Sequence, residues 1–113
     1  IADRLKAANV PYYYEDPLIM AEPKREDEFY AHSLYWHPDF RVQNVRTGKT
    51  YYWEHFGRMS DNEYMNRTLQ KIRAYEENGI WPGDKLLMTF ESAETPLGTR
   101  EIKDILVEYF GKN

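Results

Sequence analysis

The sequence predicts an α/β domain with a mixed central sheet of about four strands flanked by helices, in the order αβββαβα, and three observations carry that expectation. Residues 33–42 and Thr50–Phe56 read as strands: the first alternates by twos, and the second is a run of aromatics. Two stretches, after Ser60 and after Thr99, carry apolar residues three and four apart behind residues that cap helices. A short apolar run at 85–90 lies between them. With 113 residues, 42% of them hydrophobic, the chain can bury one core and is too short for two. Residues 1–113 are therefore expected to form a single domain with a single site.

Taken in order, Ile1, Leu5 and Ala8 recur at helical spacing and stop before Asn9-Val10-Pro11. The chain thus opens in the last turns of a helix, as expected of an excised or N-terminally truncated domain. Residues 12–15 form a short strand closed by Asp16-Pro17, and 20–27, charged and broken by proline, read as a solvated loop or strand connection. In 33–42, Leu34, Trp36, Phe40 and Val42 share one parity and Tyr35, His37, Asp39 and Arg41 the other, giving one strand with Pro38 as an edge or bulge. A turn at 46–49 joins it to Thr50–Phe56 as a hairpin. Ser60 and Glu63 form a capping-box pattern for a helix that buries Met65, Leu69 and Ile72 and ends at Asn78-Gly79. Trp81-Pro82-Gly83-Asp84 is a turn, 85–90 a buried strand, and Thr99 caps a last helix with Ile102, Ile105, Leu106 and Tyr109 on one stripe.

Composition removes several classes of function. Without cysteine there are no disulfides, thiolate zinc sites or cysteine nucleophiles, and a cytoplasmic protein is the default expectation. No stretch approaches the roughly 20 apolar residues that span a bilayer, so no membrane partner is expected. The net charge of −4 argues against gripping nucleic acid by bulk electrostatics. Ser33 and Ser60 lack a His–Asp arrangement, His32 and His37 lack zinc-ligand spacing, and there is no glycine-rich phosphate loop. Acyl transfer, zinc chemistry and nucleotide hydrolysis are poor readings.

If the hairpin sets Val42 against Tyr51, Asp39 lies opposite Glu54, on one face, with Cβ atoms roughly 4.5–5.5 Å apart. Two carboxylates at that separation repel unless a cation or proton sits between them. Mg²⁺ (or Mn²⁺) suits the pair, because such ions take oxygen ligands and need few carboxylates when a phosphate completes the shell. The alternative is a pair of exposed strand acids, one partnered by Arg41 or Lys49. Their setting among Trp36, Pro38, Phe40, Tyr52, Trp53 and Phe56 makes an uncompensated carboxylate costly. Arg41, Arg46, Lys49, Arg58 and Arg67 are candidate phosphate contacts, with ordinary solvated charge as the alternative. Tyr35 and Tyr52 suit base stacking or core packing.

Pro38-Asp39, with Glu54 fifteen residues on, inside the string HPDFRV…TGKTYYWEHFG, resembles the signature of the PD-(D/E)xK nuclease superfamily, in a bacterial and phage-type branch with a PDF…WEH.G pattern. The order of elements is similar over nearly the whole chain. The resemblance implies a restriction-endonuclease-like core and a metal-dependent nuclease that hydrolyses DNA phosphodiester bonds in repair, recombination or restriction. It also implies Asp39 and Glu54 as catalytic metal ligands, the His55 carbonyl as a main-chain ligand, and a homodimer or a larger parent protein. Two departures stand out. Phe56 occupies the position of the family lysine, and Lys71, on the helical face of Tyr64, Thr68 and Tyr75, is the candidate replacement. Lys71 to Tyr75 is also similar to a helical Gln-x-x-x-Tyr motif of recombination-type nucleases. No helical glutamate precedes Glu15, which is the remaining candidate for an additional ligand. The rival expectation is a catalytically inactive nuclease-fold module that binds DNA or a protein partner.

Overall fold

A computed structural model of the chain describes residues 1–21 and 33–112. The elements are α1 (Ala2–Ala7), β1 (Tyr12–Tyr14), β2 (Leu18–Ala21), β3 (Ser33–Trp36), β4 (Phe40–Gln43), β5 (Thr50–Phe56), α2 (Asn62–Glu77), β6 (Leu86–Phe90) and α3 (Thr99–Phe110). Four strands form a mixed sheet in the order β1-β4-β5-β6, antiparallel except for the parallel β5–β6 pair. The α/β class and the four-strand sheet expected from the sequence are both present.

The stretch 33–42 is two strands and not one. β3 pairs with β2 in a separate two-stranded sheet, Leu18 opposite Trp36, and β4 starts afresh at Phe40. Pro38, which has no N–H to give a ladder, stands at the break. A strand at 18–21 also replaces the start of the expected loop at 20–27, while the rest of that loop and His32 lie outside the described residues. The first strand stops at Tyr14, because Glu15 turns the chain at φ 51°.

The sheet buries both faces, and alternation along each strand sorts the side chains. One face packs Phe40, Val42, Tyr51, Trp53 and Leu87 against Leu5 of α1 and Ile102, Leu106 and Phe110 of α3. The other lays Tyr52, Leu86 and Met88 against Ala74 and Tyr75 of α2. The turn between β4 and β5 is closed by the buried Asn44, whose Oδ1 accepts the N–H groups of Arg46 and Thr47 at 3.0 and 3.2 Å, while Gly48 takes the positive φ of 75°. That turn produces the expected register, with Val42 opposite Tyr51.

Both helix starts differ from expectation by one residue. Asp61, not Ser60, caps α2: its Oδ1 accepts the N–H groups of Glu63 and Tyr64 at 2.9 and 3.1 Å. Ser60 Oγ accepts the N–H of Ala93 at 3.0 Å instead. Gly98 precedes α3 without a side-chain cap, and Thr99 is its first helical residue. The end of α2 is as read, with Asn78 at the C-cap and Gly79 at φ 77°. Among the described residues no helix is long and apolar enough to cross a membrane.

Candidate functional site

The β4–β5 ladder ends with Phe40 opposite Trp53, and its register continued by one step would set Asp39, in the bend before β4, across from Glu54 on one face. Pro38 then falls opposite His55, at a position where the two residues would exchange two backbone hydrogen bonds. Proline supplies no N–H for the His55 carbonyl. The His55 N–H is taken by the side chain of Asp39, whose Oδ2 accepts it at 2.7 Å. Asp39 is anchored on its other side, where its carbonyl accepts the Glu15 N–H at 3.1 Å. The Pro-Asp pair thus ends the ladder, with the Asp39 carboxylate held on the His55 backbone.

Glu54 is 2% exposed, which makes it the most deeply buried acid of the site. Burial pushes its pKa above the ordinary carboxylate range, the Lys71 ammonium and the Tyr75 hydroxyl pull it back, and the charge of Asp39 pushes it up again. Lys71 donates from Nζ to Glu54 Oε2 at 2.7 Å, and Tyr75 donates its hydroxyl to Oε1 at 2.9 Å. Burial and the neighbouring Glu54 charge drive the Tyr75 phenol upward, so it stays protonated and remains a donor. A buried carboxylate without such donors would cost several kcal/mol.

This demand explains how α2 is rotated. Thr68, Ala74 and Tyr75 are its buried residues, with Lys71 half-buried beside them, whereas Leu69 is 52% exposed and Met65 and Ile72 are half-buried. Of the expected apolar stripe, Leu69 is exposed and Met65 and Ile72 are only half-buried, none of them among the fully buried residues of the helix. The polar face of Tyr64, Thr68, Lys71 and Tyr75 turns inward because it carries the groups that Glu54 requires.

The remaining sequence candidates divide. The His55 ring points to the opposite face, where Nδ1 meets Thr89 Oγ1 at 2.8 Å and Nε2 meets Glu91 Oε1 at 2.7 Å. Glu91 is held below its ordinary range by that hydrogen bond. Glu15 has an exposed side chain, and its contacts are made by its backbone: its N–H with Asp39 and its carbonyl with His37 Nδ1 at 3.1 Å. Arg41 shares the face of Asp39; its guanidinium lies 4.3 Å over the Tyr13 ring, and Nε is 2.8 Å from Asp16 Oδ2, out of line for a hydrogen bond. Arg58 and Arg67 stand over the same Tyr64 ring, at 5.7 and 6.0 Å, Arg58 in the loop just after β5 and Arg67 one helical turn before Lys71. Arg46 and Lys49 are not brought to the carboxylates. Lys49, five residues before Glu54 and so about 16 Å along the strand, pairs with Asp84 at 2.7 Å, and Arg46 lies against Gly111 at the end of α3. Tyr52 packs with Ala74 and Leu86, while the side chain of Tyr35 lies outside the described residues.

Asp39, Glu54 and the His55 carbonyl are hard oxygen donors; Asp39 holds the His55 N–H and Glu54 is paired with Lys71. Oxygen donors of this type are the kind that hard divalent cations take. Among the described residues no group of three or more His, Asp or Glu side chains converges to hold a metal alone. Thr89 and Glu91 had no signal in the sequence as partners of His55, since they lie on a strand and loop more than thirty residues away. No family model, curated protein or solved structure matches this chain, so the reading rests on its own residues.

Proposed function

We propose that this chain is a metal-dependent nuclease hydrolysing DNA phosphodiester bonds, on a restriction-endonuclease-like core of the PD-(D/E)xK kind. One observation carries the reading: Asp39 Oδ2 takes the His55 N–H at 2.7 Å, next to Glu54 on the strand, and Lys71 Nζ lies 2.7 Å from Glu54. The lysine missing at Phe56 thus has a counterpart reaching the same carboxylate from α2. A magnesium or manganese ion held by Asp39, Glu54 and the His55 carbonyl would supply positive charge against that developing on the phosphoryl oxygens.

The chain's own groups divide the remaining tasks. Tyr75 fixes the Glu54 carboxylate by its hydrogen bond to Oε1, leaving Oε2 directed at Lys71. Lys71 keeps a cation beside the reacting phosphate, where it orients the attacking water and offsets transition-state charge. Arg67 on α2 and Arg58 in the loop before it, 3.5 Å from Asp61, add positive charge around Tyr64 and suit the flanking phosphates. The test is cleavage of single- and double-stranded DNA with Mg²⁺ or Mn²⁺. Asp39→Asn, Glu54→Gln and Lys71→Met should each lose at least about a hundredfold in rate, and full activity in the two carboxylate variants would overturn the assignment.

A specific observation favours the rival reading of a non-cutting module that binds DNA or a protein. Both Glu54 oxygens already accept hydrogen bonds, and Phe56 is stacked on Phe90 at 5.4 Å where the family carries its lysine. That reading predicts DNA affinity indifferent to magnesium in the same titration.

A further inference from the structure

The His55 ring lies on the face of the sheet away from the carboxylates, yet its backbone is the junction of the site. Its N–H holds Asp39 at 2.7 Å, and its carbonyl faces a proline. Both ring nitrogens are engaged, by Thr89 Oγ1 at 2.8 Å and Glu91 Oε1 at 2.7 Å. The chain of contacts continues in both directions. Thr89 Oγ1 also accepts the indole N–H of the fully buried Trp53 at 3.2 Å, and Glu91 Oε2 accepts the Leu97 N–H at 3.1 Å. Glu91 is itself fixed by its backbone, donating its N–H to the Phe56 carbonyl at 2.9 Å and accepting the Met59 N–H at 3.1 Å.

The donor count gives this chain one consistent direction when the imidazole is neutral. Trp53 has only a proton to give, so Thr89 accepts it and turns its own hydroxyl proton to His55 Nδ1. Nε2 then carries the imidazole proton and donates it to Glu91. A residue gripped at both ends of its ring cannot rotate or slide along the strand without breaking a bond to a buried hydroxyl or to a carboxylate.

We propose that His55, locked between Thr89 and Glu91, is a positioning residue that fixes the backbone at 55 and so aims the Asp39 carboxylate and the His55 carbonyl at the cation. The inference rests on the proposed function for its consequence and on the hydrogen-bond geometry for its cause. Orienting partners of this kind commonly hold metal affinity to within ten- to a hundredfold of its full value. The lock joins β5, β6 and the loop at 91–97, so the site depends on residues that touch neither metal nor substrate.

Two isosteric pairs test it in the full chain. Thr89→Val keeps the volume and removes the hydroxyl; Thr89→Ser keeps the hydroxyl. Glu91→Gln keeps the shape but only one acceptor oxygen, enough for His55 Nε2 or for the Leu97 N–H and not for both; Glu91→Ala removes both. The primary readout is amide hydrogen exchange at His55, compared with Val42 in the same sheet. Thr89→Val and Glu91→Ala should lower protection of the His55 N–H about tenfold or more relative to Val42, with Thr89→Ser close to wild type and Glu91→Gln in between. Equal loss at His55 and Val42 signifies a merely structural role and overturns the proposal, as does unchanged protection in Thr89→Val. Mn²⁺ titration is the second readout, with about tenfold weaker binding expected in Thr89→Val and recovery in Thr89→Ser. If wild type binds no Mn²⁺, the proposed function fails while the exchange comparison still decides the lock.

Discussion

Replacing Lys71 by methionine removes the ammonium from Glu54 while keeping a side chain of similar length and apolar stem. At 2.7 Å the pair's attraction is roughly 6 kcal/mol for an effective dielectric constant of about 20. The variant does not lose that much, because Glu54 escapes by taking a proton. Holding a carboxyl of ordinary pKa 4.5 protonated costs about 1.4 kcal/mol for each pH unit above it, hence roughly 3 kcal/mol at pH 7 and under about 1 kcal/mol at pH 5. Wild-type Glu54 already bears part of this burden, since burial raises its pKa even beside Lys71. The expected destabilisation is therefore about 1–3 kcal/mol at pH 7 and shrinks toward zero at pH 5. The sign follows from linkage: a carboxyl with a raised folded-state pKa binds more protons folded than unfolded, so its contribution to stability falls as pH rises from 4.5 through the folded value. Lys71→Met widens that window upward. Urea unfolding in EDTA at pH 5, 6 and 7 measures it, and a destabilisation that is the same at all three values would refute the reasoning.

Tyr75→Phe removes a hydrogen bond to a charged acceptor and should cost about 2 kcal/mol in the same urea assay, with activity reduced less than in Glu54→Gln. Asp61→Ala should lower the melting temperature at pH 7. The Tyr64 and Glu63 N–H groups hold the Asp61 carboxylate below its ordinary range, so the difference from wild type should disappear as pH falls through that lowered value. Thermal unfolding at pH 7 and pH 2 reads this, and a larger effect from Ser60→Ala would return the cap to Ser60. Arg58→Gln and Arg67→Gln should weaken DNA binding and each reduce the salt dependence by about one ion. Arg46→Gln and Lys49→Gln should leave binding unchanged in the same salt titration by fluorescence anisotropy.

The ladder at the site was legible in the sequence because its determinants are local. Asn44 and Gly48 close a turn that sets Val42 opposite Tyr51 and carries the ladder to Phe40 opposite Trp53, one residue short of Asp39 and Glu54. The break at Pro38 was harder to see, since Leu34 and Trp36 keep the parity of Phe40 and Val42 even though they belong to another sheet. The α2 stripe misled for a more instructive reason: hydrophobic periodicity assumes that the inward face is apolar, and here a buried glutamate needs a lysine and a tyrosine. Choosing Lys71 and Tyr75 depended on that polar face. The Thr89 and Glu91 contacts to His55 depend on the parallel β5–β6 pairing, which no local pattern encodes.

The claim that Asp39 and Glu54 share a cation is tested most directly by titrating Mn²⁺ into the protein bound to a non-cleavable phosphorothioate DNA and counting bound ions by electron paramagnetic resonance. The account predicts at least one bound Mn²⁺ in wild type, lost in both Asp39→Asn and Glu54→Gln while the two variants remain folded. Retention of the same signal in both, or no bound ion in wild type, would contradict it.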